Sequence, residues 1–188
     1  LKKIGLDGLV TEGLYDKTTT YREWRAGFES LWLNHNEGKE IQATSIEREQ
    51  WNVTLAYVKE IAEQYGPFDG IAGFCEGAAV ASVALHLQSS GKDHGLDSIR
   101  FFIAMSPWRS PIHEQDGMFQ SDQPLQIPTL QIVGDNDMDV FLAAAPHFRQ
   151  DFENASEFRH SGQHVYPPLT PGLENKLHQL LRTSDEDF

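Results

Sequence analysis

The sequence is poor in cysteine, in basic residues and in long apolar runs, and each shortage excludes a class of protein. Cys75 is the only cysteine among 188 residues, so the chain can form neither an internal disulfide nor a cysteine-based metal cluster. The 15 lysines and arginines are outnumbered by 28 aspartates and glutamates, and the net charge of -13 argues against a nucleic acid or an anionic membrane as partner. No apolar run approaches the roughly 18 residues that cross a bilayer. We therefore expect a cytoplasmic protein with no metal ion, cofactor, nucleic-acid partner or membrane segment.

What the sequence does contain suits one globular unit. Hydrophobic residues make up 39% of the chain, which at this length is enough to bury a substantial core. We expect a single domain over residues 1–188. In it, residues 1–45 form an irregular or partly helical cap rich in aromatic side chains, and residues 46–183 form the core.

Helices and short strands alternate along the predicted core. A capping box at 44–47 and an apolar stripe from Trp51 to Tyr65 predict a first helix. Further helices are predicted over 76–85, over 141–152 with Pro146 early in it, and from Pro171 onward. Short apolar runs predict strands at 68–74, 99–105, 128–133 and 156–158, with a loop over 106–126. This alternation predicts an α/β fold with a mainly parallel sheet flanked by helices.

The strongest local motif is Gly73-Phe74-Cys75-Glu76-Gly77, which matches the nucleophile-elbow pattern G-x-S-x-G with sulfur in place of oxygen. The glycines at 73 and 77 support a sharp turn from strand to helix, which leaves Cys75 exposed at the sheet edge. We expect the helix N-terminus to lower the pKa of Cys75, and the backbone N–H of Glu76 to face a developing oxyanion. The Glu76 carboxylate is expected in solvent; turned inward, it would raise the pKa of the thiol. The alternative is that Cys75 is a small buried core residue.

Two further polar residues follow predicted strands in the chain order nucleophile, acid, histidine. Asp137 lies in the turn after the strand at 128–133, where Asp135 and Asp139 compete for the role of acid. His164 follows the last strand, with His160 as its rival. Because ligands gather at the carboxyl ends of parallel strands, Cys75, Asp137 and His164 are expected along one edge of the sheet.

Three segments together resemble the FSH-type serine hydrolases, a branch of the α/β-hydrolases. Residues 67–79, around Cys75, resemble the family's elbow; residues 127–140, around Asp137, resemble its acid turn; and residues 160–167, around His164, resemble its histidine loop. The resemblance implies an α/β-hydrolase fold and a catalytic triad of Cys75, Asp137 and His164. It also implies a small-molecule ester or thioester substrate, and leaves the oligomeric state open.

The sequence departs from this family at two points. Its nucleophile position holds Cys75 instead of serine, a choice that the dienelactone hydrolases, another α/β-hydrolase branch, also make. The same change would also suit a lost activity or an engineered variant. The family opens with a strand and an oxyanion loop, and we expect both to be absent from this sequence.

The leading hypothesis is therefore an acyl hydrolase of carboxylesterase or thioesterase type with an acyl-enzyme intermediate. Phe74, Trp24 and Trp32 are candidate substrate-binding residues, and ordinary core packing is the alternative for the tryptophans. Two other hypotheses stay open. One is a catalytically impaired hydrolase fold that binds an acyl ligand or a partner, and the other is a thiol redox sensor that uses Cys75.

Overall fold

The computed structural model describes residues 9–11, 21–23, 45–119 and 123–186. The strands are β1 (Leu9–Thr11), β2 (Tyr21–Glu23), β3 (Gly70–Phe74), β4 (Phe101–Met105), β5 (Thr129–Gly134) and β6 (Ala155–His160). The helices are α1 (Ser45–Tyr65), α2 (Glu76–Ser89), α3 (Pro111–Gln115), α4 (Asp139–Arg149) and α5 (Pro171–Glu186). None of these described helices is long and apolar enough to span a membrane.

The central sheet has four parallel strands in the order β3-β4-β5-β6. Each strand therefore lies beside the next one in the sequence, and all four carboxyl ends meet at one edge. The α/β fold with a parallel sheet flanked by helices, expected from the alternating pattern, is confirmed.

Three details of the secondary structure differ from the sequence expectations. The region 1–45, expected to be irregular or partly helical, contains the antiparallel pair β1 and β2. The loop expected over 106–126 contains the short helix α3, which begins at Pro111 because proline is favoured in a first helical turn. Pro146 lies in the C-terminal half of α4 instead of early in it. The candidate residues Trp24 and Trp32 lie outside the described residues.

Side chains of the central strands alternate between two hydrophobic clusters, as the period of a strand requires. In β4, Phe102 and Ala104 belong to a cluster shared with α1, α2 and α4. Phe101 belongs to a second cluster with Leu130, Leu173 and Leu180, which packs α5 against the sheet. The sheet is thus covered by helices on both faces.

Helix α2 approaches β3 closely because both partners are small at the contact. The helix buries a run of small side chains that includes Ala78 and Ala81. A Cβ atom added at Gly73 would lie 2.5 Å from the backbone nitrogen of Ala78 and 2.5 Å from the carbonyl of Gly77. A side chain at Gly73 would therefore collide with the backbone at the start of α2, which includes Gly77; the role of the two glycines in supporting the elbow stays a prediction.

We expect Gly73→Ala to lower the free energy of unfolding by about 1–3 kcal/mol, because its methyl group meets backbone atoms that cannot move aside. Urea denaturation of the purified proteins measures this change. Gly172→Ala is the matched control, since a Cβ there would lie 3.3 Å from one side-chain carbon of Phe158. Equal unfolding free energies for the two variants would contradict the close helix–strand contact.

Candidate active site

Cys75 occupies the turn between β3 and α2 in a backbone conformation that side chains rarely adopt. Its φ is 54° and its ψ is -118°, in the left-handed half of conformational space. The strand on one side and the helix on the other hold it there: its N–H donates to the carbonyl of Met105 at 2.9 Å, and its own carbonyl accepts the N–H of Ala78 at 3.1 Å. The strained turn expected of a nucleophile elbow is therefore present at Cys75.

The protonation of Cys75 differs from the sequence expectation. Burial raises the pKa of the thiol from an ordinary 9.0 to about 12, and this effect exceeds the lowering by the adjacent Glu76 N–H. The lowering expected from the helix N-terminus is present as the effect of the Glu76 N–H, but the net pKa of Cys75 is raised, because desolvation of the thiolate outweighs the backbone donor. A neutral thiol also argues against the redox-sensor hypothesis, since rapid oxidation needs a thiolate.

The Glu76 side chain adds to this shift. It is buried, with 6% of its surface exposed, and its negative charge raises the pKa of Cys75 further, as does the charge of Asp137. The expectation that the carboxylate points into solvent is therefore wrong, and the inward alternative is correct. The first turn of α2 packs against the sheet, which leaves its first side chain little access to water.

We expect Glu76→Gln to lower the pKa of Cys75, because it removes a buried negative charge beside the thiol without changing its shape. Below the thiol pKa, alkylation by iodoacetamide at a given pH should speed up by about three- to tenfold, since one pKa unit changes the thiolate population tenfold. Mass spectrometry across a pH series measures it at the only cysteine of the chain. Glu60→Gln, an exposed position on α1, is the control. Identical pH profiles for wild type and Glu76→Gln would contradict the assignment.

Asp137 and His164 are joined at the same edge of the sheet. Nδ1 of His164 lies 2.9 Å from Oδ1 of Asp137, and the Asp137 side chain is completely buried while that of His164 is 11% exposed. The backbone N–H of Met138 also donates to Oδ1, at 2.8 Å. A buried carboxylate on Nδ1 leaves Nε2 as the nitrogen that can exchange a proton. Among the described residues, the hydrogen bonds include none between the Cys75 thiol and His164.

Two of the three competing residues, Asp135 and His160, have other partners. Asp135 is half exposed and pairs with Arg159 at 2.7 Å, and Asp139 is the first residue of α4. His160 ends β6, and its Nδ1 accepts the N–H of Gly162 at 3.1 Å. Of the residues that the sequence left open as acid or base, the structure therefore pairs Asp137 with His164.

The turn after β5 and the loop after β6 fit together through backbone contacts. The N–H of Asn136 donates to the carbonyl of Gly162 at 3.1 Å, and its side-chain amide donates to the carbonyl of Ser161 at 2.8 Å. A Cβ at Gly134 would lie 2.5 Å from the carbonyl oxygen of Gln163. These close contacts fix the loop that carries His164 against the turn that carries Asp137.

Aromatic rings hold the His164 imidazole in place. Phe141 stacks on it with ring centroids 4.2 Å apart, and Phe74 lies 4.8 Å away at a tilt. Phe74 also stacks on Tyr166, at 4.5 Å. Phe74 thus contacts the histidine, and its predicted contact with substrate stays a prediction. Sequence reasoning missed Phe141 and Tyr166, because ring stacking between separate segments leaves no local pattern.

A second residue that sequence reasoning missed is Ser106, whose hydroxyl donates to Oδ2 of Asp137 at 2.7 Å. Ser106 follows β4 directly, at the same sheet edge as Cys75 and Asp137. Its position at the carboxyl end of a strand could have indicated a site residue. A serine at the start of a polar loop, however, has no distinctive sequence pattern.

A cavity of about 820 Å³ lies elsewhere, and Cys75, Asp137 and His164 do not line it. Its walls include Trp51 and Leu55 of α1 and Ile112 of α3. Within the described ranges, no group of three or more histidine, cysteine, aspartate or glutamate residues is placed to hold a metal ion.

A parallel sheet with a strained elbow after its first strand, and a buried aspartate–histidine pair after its last two strands, is typical of the α/β-hydrolase class. The family model described as "Serine hydrolase (FSH1)" matches residues 12–175. The chain therefore belongs to the FSH1 serine hydrolase family.

Individual relatives agree with this placement, and a solved structure agrees with the fold. The chain is 30% identical to Esterase OVCA2 of Xenopus tropicalis over 62% of this chain and 49% of that protein. It is also 30% identical to human Esterase OVCA2, over 63% of this chain and 51% of that protein. The chain thus spans about half the length of these relatives. Among solved structures, Zea mays acyl-protein thioesterase 2 is similar with a TM-score of 0.54 at 17% identity, over 78% of this chain and 71% of that one, which shows the shared fold.

Proposed function

We propose that this protein is an acyl hydrolase, of carboxylesterase or thioesterase type, that works through an acyl-enzyme on Cys75. The observation that carries the proposal is the buried Asp137–His164 pair at 2.9 Å, on the same sheet edge as the strained Cys75. Membership of a hydrolase family and relatives named esterase support the reaction class. A small-molecule ester or thioester is the substrate class.

In the first step, Nε2 of His164 takes the proton from the Cys75 thiol while the sulfur bonds to the acyl carbonyl carbon. The imidazolium then gives this proton to the leaving alcohol or thiol as its bond to the carbonyl carbon breaks. Asp137 stabilises the imidazolium that forms between the two transfers. In the second step, His164 takes a proton from water as the water oxygen attacks the acyl carbon. The carbon–sulfur bond then breaks to release the acid, and the imidazolium returns the proton to the Cys75 sulfur.

The reaction can start from a preformed thiolate–imidazolium pair or from a neutral thiol that loses its proton during the attack. The raised pKa of Cys75 favours the neutral thiol. At pH 8 a pKa of about 12 leaves roughly one thiol in 10⁴ ionised, against roughly one in ten for an ordinary thiol. A stable thiolate–imidazolium pair is therefore disfavoured, and the proton moves to His164 during the attack. The backbone N–H of Glu76, which lies beside the sulfur, is the proposed oxyanion donor.

The test is hydrolysis of p-nitrophenyl esters of increasing chain length and of acyl thioesters, with mass spectrometry of the acid-quenched reaction. We expect turnover above the buffer rate and an added acyl mass on the peptide that contains Cys75. Turnover without any acyl mass on that peptide would contradict the covalent mechanism. The absence of turnover on all substrates would contradict the acyl-hydrolase proposal.

A second candidate function is a catalytically impaired hydrolase fold that binds an acyl ligand or a partner. The observations that favour it are the neutral, half-buried thiol and the lack of a hydrogen bond between Cys75 and His164. It predicts saturable binding of a non-hydrolysable acyl thioether, measured by calorimetry, without turnover of the matching thioester. Turnover of the thioester would exclude it.

A further inference from the structure

Ser106 stands out because its backbone is strained and its side chain is committed to one partner. Among the described residues, Cys75 and Ser106 are the two non-glycine residues with a positive φ, at 54° and 44°. The N–H of Ser106 donates to the carbonyl of Ile132 at 2.8 Å, while the adjacent Met105 carbonyl accepts the N–H of Cys75. Strained backbone of this kind persists where the surrounding structure holds it, and it clusters at functional sites.

The Ser106 hydroxyl completes the set of donors to the Asp137 carboxylate. Oδ1 of Asp137 faces Nδ1 of His164 and the N–H of Met138, and Oδ2 accepts the Ser106 hydroxyl at 2.7 Å. The Asp137 side chain is completely buried and Ser106 is 2% exposed, so water has little access to replace this donor. With both oxygens engaged, the carboxylate plane is fixed, and Oδ1 stays directed at the imidazole.

We propose that Ser106 is a positioning residue: its hydroxyl holds Asp137 so that the carboxylate orients His164 and stabilises it when it takes a proton from Cys75. The inference rests on the proposed function for its effect on turnover. The left-handed turn at Ser106 brings a side chain from the end of β4 toward the turn after β5. Ser106 thereby connects the carboxyl end of β4, which lies next to Cys75, with Asp137, the acid that binds His164.

The kinetic test compares Ser106→Ala, Ser106→Gly and Asp137→Asn, alone and combined, on the ester that the wild type hydrolyses best. Both Ser106 variants remove the hydroxyl, and Ser106→Gly also relieves the backbone strain, so it keeps the test valid if the alanine variant folds poorly. We expect kcat to fall by about 10- to 100-fold in both, the range for a hydrogen bond to a charged group, with KM within about twofold. In the Asp137→Asn background, where no carboxylate remains to be oriented, Ser106→Ala should lower kcat by less than about threefold.

A readout that needs no turnover separates this inference from the proposed function. The proton on Nδ1 of His164 should give a low-field NMR signal in the wild type, and this signal should move upfield or broaden in Ser106→Ala and Ser106→Gly. Unchanged kcat and an unchanged signal in both variants would overturn the role of Ser106, as would full additivity with Asp137→Asn. A shifted signal in a protein without turnover would support the positioning by Ser106 and contradict the acyl-hydrolase proposal.

Discussion

Replacing Cys75 with alanine is expected to lower kcat/KM for ester hydrolysis by at least about 1,000-fold, because the variant has no atom that can form the acyl-enzyme. The fold should survive, since the sulfur makes no disulfide and alanine is the smaller side chain. Steady-state hydrolysis of the best p-nitrophenyl ester measures the loss, and circular dichroism confirms folding. Equal rates for wild type and Cys75→Ala would contradict a nucleophilic role for Cys75.

Cys75→Ser is the matched companion to the alanine variant. It keeps a hydroxyl nucleophile in the same elbow, and like the neutral thiol it needs His164 to remove its proton. We expect its rate on oxygen esters to exceed that of Cys75→Ala clearly. A serine variant faster than the wild type would indicate that the site favours an oxygen nucleophile, as the name of the serine hydrolase family implies.

The second large effect is expected for Asp137→Asn, which should lower kcat by about 10³- to 10⁴-fold. The amide oxygen can still accept a hydrogen bond from the Met138 N–H and face Nδ1 of His164, so the position of the imidazole can be retained. What disappears is the negative charge that stabilises the imidazolium in both proton transfers. The expected result is therefore a loss in kcat with KM within a few-fold, measured by steady-state kinetics.

Asp135→Asn is the control for this prediction, because it lies in the same turn. Asp135 is half exposed and pairs with the exposed Arg159, a surface contact that contributes about 1 kcal/mol at most. Its variant should keep wild-type kcat. Equal losses for Asp135→Asn and Asp137→Asn would contradict the assignment of Asp137 as the acid.

Much of the fold could be predicted because its signals are local. The sequence pattern at the start of α1, the apolar runs of β3, β4 and β5, and the small residues of α2 are each read within a few positions of the chain. The short helix α3 and the antiparallel strands β1 and β2 were missed. Neither carries a clear apolar period over its three to five residues.

The candidate site could be predicted only in part, for the same reason. Strand ends and chain order were enough to indicate Cys75, an acid in the turn after β5 and a histidine after β6. They could not select Asp137 over Asp135, since both lie in one turn and differ only in which long-range partner each meets. Ser106 and Phe141 reach the site from segments that no spacing rule connects with it.

The sequence by itself determined the elbow, the order of the three polar residues and the parallel α/β plan. Each of these depends on residue types and spacing along the chain. Only the tertiary structure decided the protonation of Cys75, the inward orientation of Glu76 and the partnership of Ser106 with Asp137. A pKa depends on how much water and charge surround a group, and a hydrogen bond between distant segments depends on how the strands align. Both are set by packing across the sheet edge.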